Sequence, residues 1–330
     1  MLRKTILKIY ERHNDYNFYL YLASDIFNLS SLGEVSSTNF FVGYNVLLNF
    51  APLPVVLDYT RLGDVFTTEF LKNVLLSAIT EQIDLQAVKY IERILAHTKF
   101  QKELYVKFRG ISESSVTIFP HLIDVDLVRR TALSSNYNER GWPIPKKDIF
   151  TVIYVGRLVK EKGIHILLEA FSLALRRGCS GRLIVLGRGP LRTLVMKYEK
   201  KLGNNLLWLG EKMYPEALKL ISLSDALILP SLHEMFGFAI LEALSLGKPV
   251  IVSRVGGIPE VVKPPCGSLV NPGDVEMLSD AILHICSNGY HNNIACSDQY
   301  VNNFNTEVRA KYFVEFIERY GELPKTMFLT

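Results

Sequence analysis

The stretch LPSLHEMFGFAILEALSLGKPVIVS, residues 229–253, follows an apolar run and carries a loop, an apolar helix and a second apolar strand. Strands that alternate with helices are typical of a parallel sheet covered by helices on both faces. The loop in this stretch contains Glu234, and a second carboxylate, Glu242, follows eight residues later inside the helix. A buried helix could use Leu or Ala at both places, so the two acids indicate a function beyond packing.

The same alternation runs through the second half of the chain. Apolar runs that end in Gly, Pro or Ser predict strands at 151–156, 182–187, 207–210, 225–230 and 249–253. Amphipathic segments between them predict helices at 162–177, 190–202, 214–224 and 237–247. We therefore predict a doubly wound α/β domain over residues 147–305.

The first half has a weaker rhythm and predicts a smaller α/β domain, residues 1–146, that ends in a polar linker at 133–148. Its predicted strands are 17–23, 53–59, 94–98 and 115–120. Its predicted helices are 2–13, 67–79, 81–95 and 99–108. Apolar residues at helical spacing predict a last helix at 306–321.

Composition and charge narrow the function classes. Hydrophobic residues make up 48% of the 330 residues and charged residues 21%, the balance of a folded globular protein. The net charge of +4 at pH 7 is small for this length and predicts no nucleic-acid binder. The four cysteines lie far apart without metal-binding spacing, so we expect reduced thiols in a cytoplasmic protein.

The N-terminal residues raise the question of a membrane. Charges interrupt the opening residues before an apolar segment forms, so we expect no signal peptide. Arg3, Lys4 and Lys8 precede a segment rich in Tyr and Phe, and a basic, aromatic face of this kind could rest on an anionic membrane. We favour a solvated helix face beside buried aromatic side chains and keep peripheral membrane contact as a hypothesis.

The segment YVGRLVKEKG, residues 154–163, places Gly156, Arg157 and Lys162 where a predicted strand ends and a helix begins. A glycine lets the backbone approach a ligand, and cations beside a helix N-terminus form a phosphate site. Both cations could instead be solvated residues, but at a helix start they oppose the helix dipole. We therefore interpret this segment as a phosphate site.

Two glycine-containing turns remain open to two interpretations. In VLGRGPLR, residues 185–192, Gly187 and Gly189 either contact a ligand or form a tight turn before Pro190. In SRVGGIPEVV, residues 253–262, the glycines either serve the turn or face a ligand.

The stretch that opens this section combines a helix start with acids. Gly237 opens the predicted helix, so the first N–H groups of that helix can bind a diphosphate. Phe236 and Phe238 indicate that the helix is largely buried, and buried acids need polar partners. The vicinal hydroxyls of a sugar are suitable partners for Glu234 and Glu242.

These residues, in this order, resemble the retaining glycosyltransferases of family 4, which have the GT-B fold of two Rossmann-like domains facing a central cleft. The matching segments are YVGRLVKEKG, VLGRGP, SDALILPSLHEMFGFAILEALSLGKPVI and GGIPEVV, together with the E-x7-E pattern. The resemblance runs over about residues 150–285, and TIFPHLIDVDLV, residues 117–128, is similar to the end of the family's N-terminal domain. We expect that domain to be shortened here, because the chain opens on a predicted helix without an early Gly-Gly turn.

The resemblance implies transfer of a hexose from a nucleoside diphosphate sugar to a hydroxyl acceptor on a glycan, lipid or protein, with retention of configuration. It implies catalytic roles for Arg157, Lys162 and Glu234, the cations neutralising the diphosphate without a metal ion or cofactor. The implied donor-binding residues are Gly156, Gly187, Gly189, Phe236, Gly237, Phe238 and Glu242. Glu234 would hold the transferred sugar and Glu242 the ribose, while residues 306–330 would cross back to the N-terminal domain.

Several alternatives stay beside this interpretation. The chain could be a non-catalytic nucleotide-sugar-binding subunit, or an epimerase or phosphorylase with the same fold. Asp124-Val125-Asp126 is similar to a metal-binding D-x-D motif, but it lies in a domain-end loop and we reject that reading. His97 and His121 are candidates for the sugar pocket, with a structural role as the alternative.

Overall fold

The computed structural model describes residues 21–22, 40–42, 93–134, 149–288, 298–309 and 312. The chain divides into two compact units, with the boundary between Pro120 and His121. Predicted elements that lie outside the described residues are those at 2–13, 53–59 and 67–79, and most of those at 17–23, 81–95 and 306–321.

The first unit contains a parallel sheet with the strand order β1-β2-β3-β4 in its described part. The strands are β1 Tyr21–Leu22, β2 Phe40–Val42, β3 Arg93–Ala96 and β4 Val116–Ile118. Helix α1, Lys99–Arg109, connects β3 to β4, and the Thr98 side chain caps it by accepting from the Gln101 N–H. The helix predicted to extend to residue 95 is wrong at its end, because residues 93–96 pair between β2 and β4 and this pairing outweighs the local helical period.

The second unit is built on a six-stranded parallel sheet with the order β10-β9-β8-β5-β6-β7. Its strands are β5 Phe150–Val155, β6 Gly181–Leu186, β7 Leu206–Gly210, β8 Ala226–Leu229, β9 Val250–Ser253 and β10 Gly267–Val270. The chain leaves β5 first toward β7 on one side and then returns to β8 and β10 on the other, which is the order of a doubly wound sheet. The doubly wound prediction is confirmed.

Helices α3 to α7 connect these strands, as parallel pairing requires, while α2 precedes β5 and α8 and α9 follow β10. The helices are α2 Val125–Ser134, α3 Ile164–Arg176, α4 Arg192–Leu202, α5 Tyr214–Leu223, α6 Phe238–Ser245, α7 Ile258–Val261, α8 Val275–Asn288 and α9 Asp298–Val301. The sequence predicts α3 to α6 within a few residues but does not predict α8 or strand β10. The strands β5, β8 and β9 are buried along almost their whole length, so the core of this unit lies on both faces of the sheet centre.

Helix α2 packs with the second unit, against α5 and α6. The Arg129 Nε donates to the carbonyl oxygen of Ser245 at 2.8 Å, which satisfies a carbonyl at the end of α6, and Arg129 also forms an ion pair with Asp298. The predicted domain boundary at 146 assigns α2 to the first domain, and it lies among residues 135–148, outside the described part. The packing of the described residues 121–134 groups them with the second unit.

Cys179 and Cys286 form a disulfide, with their Cα atoms 5.8 Å apart. Cys179 follows the end of α3, and Cys286 lies in the last turns of α8, which packs along α3. The prediction of reduced thiols is therefore wrong for this pair. A separation of 107 residues hid the pairing, because only the packing of the two helices brings the sulfur atoms together.

The length and polarity of the helices bear on membrane insertion. Within the described residues, no helix combines the length and the apolar character that crossing a bilayer requires.

The buried His97 predicts a pH dependence of stability. Its Nδ1 lies 3.0 Å from the carbonyl oxygen of Phe119, and burial lowers the pKa of His97 from 6.5 to about 4. Between these values the unfolded chain binds a proton that the folded chain does not, so stability is lost as the pH falls from 6.5 toward 4. We expect a loss of about 2 kcal/mol at pH 5 relative to pH 7 from this group.

Urea unfolding of the chain at both pH values measures this loss, and His97→Gln should reduce it. His284→Gln is the control, because His284 is exposed on α8. A His97→Gln variant that loses as much stability between pH 7 and pH 5 as the wild type would contradict the assignment.

Candidate functional site

The candidate site lies at the carboxyl ends of β5 and β8. These neighbouring strands mark the point where the strand order reverses, because the chain winds away from them in opposite directions. Open α/β sheets bind ligands in the crevice that forms at such a point. The sequence motifs around Arg157 and Glu234 follow these two strands directly.

Lys162 and Glu234 are in direct contact at this point. The Lys162 Nζ donates to the Glu234 Oε2 at 2.5 Å, across 72 residues of sequence. The Lys162 side chain is 22% exposed and the Glu234 side chain 7% exposed, so the pair is largely withdrawn from water. A buried charge needs a partner, and each of these residues supplies the other's.

The two loops that carry this pair are packed backbone to backbone. The Leu232 N–H donates to the Glu161 carbonyl oxygen at 2.8 Å. A Cβ placed on Gly163 would lie 1.8 Å from the Pro230 carbonyl oxygen, so only glycine allows this approach. These contacts therefore fix the distance between the backbones of the two loops, which carry Lys162 and Glu234.

Arg157 is exposed at the end of β5, but its backbone is held firmly. Its carbonyl oxygen accepts from the Tyr154 hydroxyl at 2.7 Å and from the Val159 N–H at 3.0 Å. Tyr154 is fully buried, and burial, followed by the negative charge of Glu234, raises its pKa above the ordinary value. The Tyr154 hydroxyl therefore interacts electrostatically with both Arg157 and Glu234, which lie in the loops after β5 and β8.

Sequence reasoning missed Tyr154, because it reads as one more core residue of a buried strand. The available signal was the presence of Tyr where Phe would fill nearly the same space. A buried hydroxyl needs a hydrogen-bond partner, so its presence indicates a polar contact.

The glycines after β6 make room for the loop after β5. A Cβ on Gly187 would lie 1.9 Å from the Gly156 carbonyl oxygen, and one on Gly189 would lie 2.6 Å from the Leu158 carbonyl oxygen. The Leu158 N–H also donates to the Arg188 carbonyl oxygen at 2.9 Å. Backbone packing therefore accounts for both glycines, and their predicted contact with a donor stays a prediction.

Phe236, Gly237 and Phe238 have three different surroundings. Phe236 is 1% exposed and packs its ring against His121, with the ring centroids 4.9 Å apart. Phe238 is 37% exposed, and its centroid lies 4.8 Å from that of His121. Gly237 stands at the start of α6 with φ +80°, where its own Cβ would meet the Ile240 side chain at 2.7 Å. The Phe236 side chain thus belongs to the core, and the N–H groups that open α6 are the part of this segment suited to a ligand.

Glu242 lies in α6, and within the described residues its hydrogen-bond partner is Tyr214, the first residue of α5. Burial raises the pKa of Glu242, and the hydrogen bond from Tyr214 acts in the opposite direction. The two acids of the E-x7-E pattern therefore have different partners, a cation for Glu234 and a phenol for Glu242.

The remaining polar candidates have structural partners. Asp124 caps α2 by accepting from the Leu127 N–H at 2.8 Å, and Asp126 lies in the first turn of the same helix. His97 is buried in the first unit, whereas His121 joins the aromatic cluster of the second. In the described part of the chain, no group of three or more His, Cys, Asp or Glu side chains is arranged to hold a metal ion.

Comparison with known proteins shows what the second unit is similar to. Residues 138–299 match the model of the family glycosyl transferases group 1. The second unit is therefore similar to this family. An uncharacterized glycosyltransferase of Methanocaldococcus jannaschii is 30% identical over 165 residues, which are 49% of this chain and 40% of that protein. The chain spans about 40% of the length of curated relatives that it matches.

Solved structures have a fold similar to that of this chain. Sucrose-phosphate synthase from Thermosynechococcus elongatus has a TM-score of 0.65 at 20% identity, covering 96% of this chain and 77% of that one. Anabaena HepE in complex with UDP has a TM-score of 0.60 at 21% identity, covering 72% of this chain and 68% of that one. The predicted α/β fold with Rossmann-like parallel sheets is confirmed, and these similar structures are GT-B glycosyltransferases.

The packing of Gly187 in the second unit can be tested without a ligand. Gly187→Ala forces a Cβ onto the Gly156 carbonyl at a positive φ of 131°, so we expect the free energy of unfolding to fall by about 2–3 kcal/mol. Urea denaturation of the ligand-free protein measures the change.

Gly178→Ala is the matched control. Gly178 also has a positive φ, +101°, but nothing lies within 4 Å of its Cβ position, so we expect a loss of about 1 kcal/mol from backbone strain alone. Equal losses in the two variants would argue against the packing of the β5 and β6 loops.

Proposed function

We propose that this chain is a glycosyltransferase that transfers a hexose from a nucleoside diphosphate sugar to a hydroxyl acceptor with retention of configuration, independently of a metal ion, as the resemblance to family 4 implies. The observation that carries the proposal is the Lys162–Glu234 contact at the strand reversal of a unit that is similar to the glycosyl transferases group 1. It places a cation suited to a diphosphate beside a carboxylate suited to sugar hydroxyls.

The charges of the site match the charges that the reaction develops. Breaking the bond between a sugar and a diphosphate builds positive charge on the sugar ring and negative charge on the departing phosphates. Lys162, Arg157 and the N–H groups at the start of α6 would stabilise the departing diphosphate. Because backbone packing holds the loops that carry these groups, little reorganisation would be needed when the charge develops.

The two acids would bind hydroxyls on either side of the diphosphate. Glu234 would accept from hydroxyls of the transferred hexose, which lies next to the phosphates that Lys162 binds. Glu242 would hold the ribose, with the Tyr214 hydroxyl helping to keep its carboxylate in place. Gly156, Gly187 and Gly189 would contribute to the donor site chiefly by allowing the loops to approach.

A similar solved structure supports a nucleoside diphosphate sugar as the donor, whereas the acceptor class rests on the resemblance alone. Anabaena HepE, which has a similar fold, was solved in complex with UDP, so a uridine diphosphate sugar is the first donor to test. The cytoplasmic location and the peripheral membrane contact also belong to the proposal. A disulfide such as Cys179–Cys286 is more common in oxidising compartments, which weighs against the cytoplasm.

The deciding experiment has two parts. Thermal unfolding with UDP-, GDP- and ADP-hexoses identifies the donor by its stabilisation of the folded chain. Turnover of that donor, with and without EDTA, then tests activity and metal independence, and NMR of the product anomer tests retention. Binding without transfer or donor hydrolysis would instead favour a non-catalytic binding subunit.

Single substitutions at the pair should lower the transfer rate strongly. We expect Lys162→Ala and Glu234→Gln each to reduce transfer by about a hundredfold or more, because each removes a charge that acts on the transition state. Lys197→Ala, an exposed residue on α4, is the control and should leave the rate unchanged. Rates near those of the wild type in both site variants would refute the assigned roles.

A further inference from the structure

The contact between Lys162 and Glu234 has a consequence for nucleotide binding that rests on the proposed function. The ammonium group that would bind the diphosphate already donates to a carboxylate at 2.5 Å. A diphosphate that arrives at Lys162 therefore has to compete with Glu234 for the ammonium group. A bare diphosphate would leave Glu234 without that partner, whereas a diphosphate that carries a sugar would give it hydroxyl donors instead.

The pair cannot avoid this conflict by moving apart at the backbone. The Leu232 N–H bonds to the Glu161 carbonyl, and Gly163 packs against the Pro230 carbonyl, so the two loops are locked together. Glu234 is also too deeply buried to turn its carboxylate into water, since its side chain is 7% exposed. When Lys162 turns to a diphosphate, Glu234 thus needs another donor in place, or it remains a buried charge without adequate compensation.

Sugar hydroxyls would supply these donors, and the bare diphosphate has none to offer. With the intact donor bound, hydroxyls of the hexose would bond to Glu234 while the phosphates take Lys162. After transfer the hexose is gone, and the carboxylate regains its hydrogen bonds only by recovering Lys162 from the spent nucleotide. The same contact therefore disfavours the product relative to the substrate.

We propose that Glu234 is a specificity-determining residue that competes with the nucleoside diphosphate for Lys162, so that the site favours the sugar-bearing donor over the spent nucleotide and releases the latter after transfer. This role differs from holding the sugar alone, because it predicts opposite effects of one substitution on two ligands. Glu234→Gln removes the charge while keeping the size of the side chain. We expect it to bind the bare nucleoside diphosphate more tightly and the nucleoside diphosphate hexose less tightly.

The test is titration calorimetry without acceptor, using whichever of the pairs UDP and UDP-glucose, GDP and GDP-mannose, or ADP and ADP-glucose the wild type binds most tightly. We expect Glu234→Gln to bind the diphosphate about tenfold more tightly than the wild type, since a charge-assisted competitor has been removed. Its affinity for the hexose ester should fall, so the preference between the two ligands shifts toward the diphosphate. Thermal unfolding without ligand verifies that the variant is folded.

A double-mutant cycle assigns the effect to the pair. In a Lys162→Ala background there is no ammonium group to compete for, so adding Glu234→Gln should change diphosphate affinity much less, by about twofold or less. Glu161→Gln is the matched control, because it removes an exposed carboxylate from the same turn and should leave both affinities unchanged.

The outcomes separate this inference from the proposed function. If the wild type binds none of the six nucleotides, both fall. If the wild type binds and transfers, but Glu234→Gln binds the diphosphate no more tightly or gains the same factor without Lys162, the competition is refuted and the transferase remains.

Discussion

The pairing of β5 with β8 at the centre of the second sheet is the constraint on which the site depends. Val152 pairs with Ala226 and Ile153 with Leu227, so the carboxyl ends of the two strands open side by side. From this pair the chain builds β6 and β7 on one side and β9 and β10 on the other, and the helices cross over different faces. The loops after β5 and β8 therefore meet at this junction. Lys162 and Glu234 become neighbours because of this topology, although 72 residues separate them.

A second constraint is the close backbone packing between these loops, which makes their arrangement rigid. The loop after β5 touches the loop after β6 at Gly187 and the loop after β8 at Gly163, in both cases closer than any side chain would allow. The loop after β6 continues the contact to β7, since the Gly187 N–H donates to the Gly210 carbonyl oxygen at 2.8 Å. The glycines at these positions therefore allow neighbouring loops to pack together, in addition to forming tight turns. Charged groups carried on such loops have their positions set before a ligand arrives, which is the condition for strong electrostatic stabilisation.

The sequence predicts the elements that local pattern determines. Five strands of the second sheet and helices α3 to α6 follow from short apolar runs and amphipathic segments, and the glycosyltransferase resemblance follows from motifs at the ends of these elements. Strand β10 was missed because GSLV, residues 267–270, is only partly apolar and gains its pairing from β9. The Cys179–Cys286 disulfide and the attachment of α2 through Arg129 depend on contacts across about 100 residues, which no local pattern encodes. Tyr154 was missed for the opposite reason, because its pattern of burial is correct and only its hydroxyl is unusual.

The two glutamates of the E-x7-E pattern have the same side chain but different partners in the fold, and the partners determine what each can do. Glu234 stands before α6 in the loop that meets Lys162, so its charge is compensated by a cation within hydrogen-bond distance. Glu242 lies in the second turn of α6, where burial disfavours its charge and the Tyr214 hydroxyl supports it. An acid paired with a cation can exchange that partner for a ligand and change the charge that the ligand meets. An acid bonded to a phenol keeps its place and presents a fixed acceptor. The spacing in the sequence thus separates a carboxylate that responds to the bound state of the site from one that does not.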